Sequence, residues 1–381
     1  MNGLRVWPLL LGAVAAGVGA APGQALTTGG LGSPWLLGRG HLAAVPEAWQ
    51  RPLHALGTLR KPGQLANQRP TLAVGPRWVA GGPVGPIPWA RLRASGLRVV
   101  ATGLRTRAEV RAWMALGVDG IGGDRPDVLV LALAALDRDG DGRVGDCLDA
   151  AGLPDPERVE VRGFAGARGL RPEGTLAGIE AALDVGVTAL ALPTRLTRDG
   201  RAVPALDAVV RAGKHRDLLG SAGAPWGLLG EGPGLASLTL AELRARYDRG
   251  VRLSGQPAQT LDPAASPVAT AFAMARGWSG PHAYVSLDEV FLFLEAYAGH
   301  HAHGPGRLLP EAALRAQVAA RVRVVAQLPA GLAGVSVGRA CLEAARRAGA
   351  SQRLTVSSPD PAVLTLLHRE APRAAVALDV P

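Results

Sequence analysis

Short apolar runs that alternate with helical patterns constrain this chain more than any other feature. Runs at 71–75 (TLAVG), 97–101 (LRVVA) and 118–121 (VDGI) read as strands, and helical spacing follows at 107–116 and 127–136. A hydrophilic joint comes next, DRDGDGRVGDCLDAAGLPDPER at 137–158. Beyond it the alternation resumes, with strands expected at 159–165, 188–192, 321–328, 353–357 and 374–378. Helices are expected at 175–184, 239–248, 287–297, 338–348 and 362–370, inside and around an irregular stretch that runs to about 284. Three strands precede the joint and five follow it. Two separate domains would leave open sheets with exposed edges. Eight βα units together close into a (β/α)8 barrel of the TIM type, so one α/β barrel is the expectation.

Composition supports that reading. Hydrophobic residues make up 48% of 381, enough for one large core, and the 51 glycines and 30 prolines are spread among periodic segments. The net charge is +10, yet Lys61 and Lys214 are the only lysines and the arginines are scattered. With aromatics at 4% and no basic run, the chain lacks the stripe and the stacking platforms of a nucleic-acid binder. Loose attraction to an anionic membrane surface stays open. Residues 1–25 have the layout of a signal peptide: Arg5, an apolar run over 6–18, and small residues offering cleavage after Ala20 or Ala25. That layout points to a secreted, periplasmic or cell-envelope protein, with an uncleaved anchor as the alternative. Cys147 and Cys341 could form one bridge in an oxidising compartment.

The stretch GFAGARGLRPEGTL at 163–176 has the cadence of an active-site opening: a glycine-rich turn after a strand, then Pro-Glu and a helix. Together with LTRDG at 196–200, LTLAEL at 238–243, SLDEVF at 286–291, SSPDP at 357–361 and LGVDGIGGDRPDVL at 116–129, it resembles the glycerophosphodiester phosphodiesterase family. The resemblance implies a metal-dependent TIM barrel that cleaves glycerophosphodiesters. LGVDGIGGDRPD is similar to the family's closing segment but lies before its opening one. SPW at 33–35 looks like the start of the sixth unit, and AAVALDVP at the carboxyl end looks like the fifth. The implied strand order in the chain is therefore 6-7-8 and then 1-5, a circular permutation. Units six to eight fall in 26–136, the joint in 137–158, and units one to five in 159–381 with an insertion at about 208–285.

The same resemblance implies a loss. Where the family opens with His-Arg-Gly, this chain has Phe164, Ala165 and Gly166, and the Asn after Pro-Glu is Gly174. The metal-ligand positions fall at Ala191, Pro193 and Ala326, the second catalytic His at Leu206, the nearby Lys at Leu328 and the Trp of the seventh strand at Thr102. Hard divalent cations want oxygen ligands, and Phe and Leu cannot carry protons. A catalytically inactive barrel with a binding or structural role is the first expectation, with no cofactor at the mouth and a glycerophosphodiester-like ligand as the partner class. An active hydrolase with a rearranged site, built on Asp207 and His215, is the alternative.

Other clusters remain. Asp207, Lys214 and His215 could bind an anion, while Asp124 and Glu173 read as loop acids. Asp137, Asp139, Asp141 and the carbonyl of Arg143 have the spacing of an EF-hand-type calcium loop, although position twelve is Leu148; a plain acidic linker is the other reading. His300, His301 and His303 are expected in a solvated loop at the amino-terminal face of the barrel.

Overall fold

The computed structural model describes residues 70–75, 97–219 and 230–380. The leader, the SPW segment and part of the insertion lie outside the described residues. The elements follow the expected alternation: β1 Thr71–Val74, β2 Arg98–Ala101, α1 Arg107–Ala115, β3 Gly120–Gly123, α2 Pro126–Ala134, β4 Glu160–Phe164, α3 Leu176–Val185 and β5 Ala189–Leu196. The insertion holds β6 Ala202–Pro204, β7 Val209–Arg211, β8 Arg216–Asp217, β9 Glu231–Gly234, α4 Leu240–Arg246, β10 Tyr247–Asp248 and α5 Pro267–Met274. Then come α6 Leu287–Ala302, α7 Ala312–Arg321, β11 Arg323–Gln327, α8 Gly331–Arg347, β12 Leu354–Ser358, α9 Pro361–Glu370 and β13 Ala375–Val380.

Eight of these strands are parallel neighbours in the order β1, β2, β3, β4, β5, β11, β12, β13. The ring is closed because β13 returns to β1, Thr71 facing Ala377 and Val74 facing Val380. It is an eight-stranded parallel barrel, as the alternation requires, and the joint runs between α2 and β4.

Each barrel strand is buried on both faces. The outward set, such as Val99, Ile121, Val161, Leu190, Val324 and Val356, packs with the helices in one large apolar core. Since side chains alternate along a strand, the other set faces the barrel axis, and it is unusually polar. Glu160 and Arg162 of β4 lie there with Arg98 and Arg323, and all but Arg323 are buried. The Glu160 carboxylate pairs with Arg162, with Arg98 at 2.8 Å and with Arg323 at 3.9 Å. Those guanidinium groups overcome the burial cost and hold Glu160 far below the usual carboxylate range. Glycines in β3 make the room. A Cβ at Gly120 would stand 2.8 Å from the Cβ of Glu160, and one at Gly122 would stand 2.9 Å from that of Arg162.

The insertion is less irregular than expected. It builds a second small core of Val203, Ala205, Val210, Leu235, Leu240, Leu243, Tyr247 and Tyr284. Two helices were not anticipated. The α5 segment PVATAFAM is apolar on every side, so no amphipathic stripe marks it. Its first turn is held by Glu180, whose carboxylate accepts from the backbone N–H groups of Val268 and Ala269 at 3.2 and 2.6 Å. Helix α7 comes after a short 3-10 turn at Pro305–Leu308, and it is α6 itself that runs into the histidine cluster, which corrects the expectation of a solvated loop at His300 and His301. His300 and His301 complete the last turn of α6, and His301 is buried against Tyr297. Cys147 and Cys341 are both free and buried, so the bridge considered from sequence does not form.

Candidate functional site

The carboxyl-terminal ends of the strands form the mouth where catalysis occurs in barrels of this type. At β4 the chain turns sharply after Phe164. Ala165 adopts φ 49°, the only described non-glycine residue at positive φ, a conformation that costs a Cβ-bearing residue about 1–2 kcal/mol. The turn is fixed by Ala165 N–H donating to Ala191 O at 2.7 Å and by Gly174 N–H donating to Ala165 O at 2.8 Å. Thr175 then caps α3, its hydroxyl accepting from Gly178 N–H at 3.1 Å. The scaffold of an active-site opening is thus built as the glycine-rich cadence implies.

Its furnishing differs. Phe164 lies under the Arg168 guanidinium, 5.3 Å from the ring centre. Ala191 and Pro193 lie on the axis side of β5 and offer no side-chain oxygen, whereas Ala326 shares the outer apolar core with Val324, so the ligand position read at Ala326 does not face the mouth; Val325 and Gln327 stand beside Ala191 and Pro193 instead. Gly174 sits at φ 61°, and a Cβ there would meet Arg249 Nη1 at 2.4 Å and Pro204 O at 2.7 Å. Arg249, from the insertion, fills that space and donates to Glu173 O and, at 2.6 Å, to Pro204 O. Leu206 is half-buried, and its carbonyl accepts from Arg195 at 2.9 Å.

The polar groups of the mouth are bound to one another. Lys214 Nζ lies 2.6 Å from Asp207 Oδ2 and 2.8 Å from Glu173 Oε1. Arg211 pairs with the other Asp207 oxygen at 3.2 Å, and Arg168 reaches Glu173 at 3.5 Å and Asp124 at 3.0 Å. Burial alone would raise the Asp207 pKa, but Lys214 and Arg211 hold it below its ordinary value. An ammonium enclosed by two carboxylates is not a free anion seat, so the sequence-level grouping of Asp207, Lys214 and His215 as an anion site is corrected.

His215 is placed apart from that cluster. Its Nδ1 lies 3.0 Å from both the backbone N and the carbonyl oxygen of Arg211, and its Nε2 lies 2.7 Å from the Tyr284 hydroxyl. Burial and the Arg249 charge push its pKa down to about 3. A neutral imidazole closed on a tyrosine is a structural link between the mini-core and the mouth. This geometry does not offer the Asp207–His215 acid–base pair that the rearranged site would use.

One acid of the mouth escaped the sequence reading. Asp379 ends β13, and burial raises its pKa against the opposing influence of Ser357, Arg162 and Gln327. The axial cluster of Glu160 with Arg98, Arg162 and Arg323 was missed as well. Alternating polar residues in a strand ordinarily mark a solvated face, and only the closed ring turns that face inward.

Among the described residues, one group of three or more His, Cys, Asp or Glu brings its ligand atoms within 4.8 Å of one another: Asp137, Asp139 and Asp146, in the joint. Asp141 is not part of it; its carboxylate accepts from Arg143 N–H at 2.8 Å, and Asp146 takes the third place. Asp137 closes the loop by accepting from Gly140 and Gly142 N–H at 2.7 and 2.9 Å. At the mouth, the nearest carboxylates, Glu173 and Asp207, are bridged by the Lys214 ammonium.

No protein-family model matches the chain, and no curated protein does. Solved structures do. A protein from Silicibacter pomeroyi DSS-3 assigned as a glycerophosphoryl diester phosphodiesterase is 24% identical over 58% of this chain and 64% of its own, with a TM-score of 0.41. The likeness is partial. A glycerophosphodiester phosphodiesterase from Agrobacterium tumefaciens str. C58 is 15% identical over 57% of this chain and 65% of its own, TM-score 0.34. A phosphodiesterase of Oleispira antarctica, solved with its product sn-glycerol-3-phosphate, is 18% identical over 60% and 67%, TM-score 0.35. The chain thus spans less than two thirds of the length of the first two.

Proposed function

We propose that this chain is a glycerophosphodiester phosphodiesterase-like barrel that lacks metal-assisted hydrolysis and keeps a binding or structural role. The motif resemblance at 163–176 and the closed eight-stranded ring support the scaffold half of the reading. The other half rests on one observation: the Lys214 ammonium bridges Glu173 and Asp207, while Phe164, Ala191 and Pro193 stand where the resemblance places reactive and ligand groups. Hydrolysis of a phosphodiester in this manner needs a cation to neutralise developing charge and groups to move protons. A lysine held by two carboxylates neutralises them and leaves no open coordination. The ligand class that fits the scaffold is a glycerophosphodiester, bound without turnover. The strand order fits units six to eight before the joint and one to five after it, with the β1–β13 seam where fifth and sixth units would meet. The acidic joint is assigned a structural calcium site on Asp137, Asp139 and Asp146.

The test is hydrolysis of glycerophosphocholine by the full chain with Mg²⁺, Ca²⁺ or Mn²⁺ added. The expected result is no turnover above a heat-treated control. Turnover that Asp207→Ala abolishes would overturn the proposal in favour of a rearranged active site. In the same preparations, calcium is expected to raise the melting temperature, and Asp139→Ala to remove that rise.

A further inference from the structure

The opposite end of the barrel carries a feature that the mouth does not. Between the starts of β11, β12 and β13, a cavity of about 230 Å³ is lined by Arg321, Arg323, Arg353 and Arg373, with Ser351 and Gln352 beside them. At about 30 Å³ per water, it has room for several waters or for one compact ion with its hydration. No acidic residue is among the described residues of its wall.

The acids nearby are engaged from outside it. Asp149 lies 3.4 Å from Arg321, and Glu295 lies 2.9 Å from Arg353. Glu160 sits behind Arg323, but it is shared with Arg98 and Arg162 at closer range. Arg323 also donates to Thr355 Oγ1 at 2.6 Å, which fixes its guanidinium in the cavity wall. Burial and the neighbouring Arg98 and Arg162 charges depress its pKa, while Glu160 alone opposes them. Arg353 is held rigidly too, donating to the carbonyls of Val322 at 3.1 Å and of Ala319 at 2.5 Å. Arg373 has no hydrogen-bond or ion-pair partner among the described residues and is exposed at the rim.

Preset guanidinium groups, one partnerless arginine, and hydroxyl and amide donors around a hollow make a polyvalent anion seat. Arginine forks match phosphate oxygens in pairs, and charge crowded into a low-dielectric wall is relieved by an opposite charge. We propose that this cavity binds a phosphate dianion or phosphomonoester group at the amino-terminal face of the barrel, away from the mouth. The assignment is independent of whether the mouth is catalytic.

Inorganic phosphate and pyrophosphate, titrated at low and constant ionic strength against chloride as control, provide the test. Isothermal calorimetry on the full chain is expected to give saturable binding, weakened at least tenfold in Arg373→Ala and in Gln352→Ala. Arg105→Ala, which removes the same charge from the exposed loop after β2 at the other face, is expected to bind as the wild type does. A second arm presents the phosphomonoester on vesicles of phosphatidylcholine with phosphatidic acid. Vesicle binding lost in Arg373→Ala identifies a lipid headgroup; binding of the free ions alone identifies a soluble phosphate. Equal affinity in Arg373→Ala and wild type, or heats no larger than with chloride, overturns the proposal.

Discussion

The two ends of this barrel are charged in opposite fashions. At the mouth, Lys214, Arg211 and Arg168 meet Asp207, Glu173 and Asp124, and the charges cancel. At the other end, Arg98, Arg162 and Arg323 converge on the single carboxylate of Glu160, and further arginines ring a hollow. A barrel normally spends its polar residues on the loops at the mouth and fills its axis with aliphatic layers. Here the axis is charged and the mouth is quiet. The charges at the mouth are brought together by side chains from an insertion, Lys214 and Arg211, while those of the axis come from the barrel strands themselves.

The comparison breaks first at Glu160. Replacing it by Gln keeps the shape and removes the one negative charge among three arginines, two of them buried. Orphaned buried charges of this kind cost about 3–5 kcal/mol, so Glu160→Gln is expected to lower the urea midpoint by that equivalent. A variant as stable as wild type would mean that water or an ion already compensates the arginines. The sign with pH is set by the depressed folded pKa of Glu160. Its stabilisation is complete above the ordinary carboxylate range and is lost as acid carries the protein down through the lower folded value.

A second measurement sharpens the contrast at the mouth. The folded pKa of His215 is pushed down to about 3 from an ordinary 6.5. Its contribution is therefore fully present above pH 6.5 and is lost as pH falls toward 3, with a slope of about 1.4 kcal/mol per pH unit from this group. Proton–nitrogen correlation spectra are expected to show a neutral, singly protonated ring at pH 5. Titration of this ring near 6.5 would instead restore His215 as a proton carrier. The smallest expected effect is that of Lys214→Ala. Asp207 is partly solvated, and the buried Glu173 keeps Arg168 beside it, so the loss should be about 1 kcal/mol. The freed Glu173 and Asp207 should then gain a manganese-dependent rise in melting temperature that the wild type lacks. No such gain would mean that the two carboxylates do not converge without the lysine.

Much of the fold could be read from periodicity. Every barrel strand was expected within a few residues of where it lies, because β-branched and aliphatic runs such as RVVA and RLTVS have no other comfortable state. The positions of Phe164, Ala191 and Pro193 were legible for the same reason, since they fall on strand ends whose place in the ring the pattern fixes; Ala326 was not, because a one-residue shift along β11 moves a side chain to the other face. The contacts of Lys214 were not. They join residues 41 positions apart through an insertion with little regular structure, where neither spacing nor propensity says which loop folds back on which. The polar axis was hidden by its own alternation. In EVRGF, Glu160 and Arg162 look like the wet side of a half-buried strand until the sheet closes round them.

The β1–β13 seam has a bearing on how the molecule is made. Its partners, near residues 71 and 377, are separated by almost the whole described chain, so the ring cannot be completed during synthesis until the final strand has left the ribosome. Until then two strand borders lie bare, the kind of surface that chaperones cover and that neighbouring nascent chains can join. Late closure of this sort favours slow, assisted maturation over spontaneous collapse.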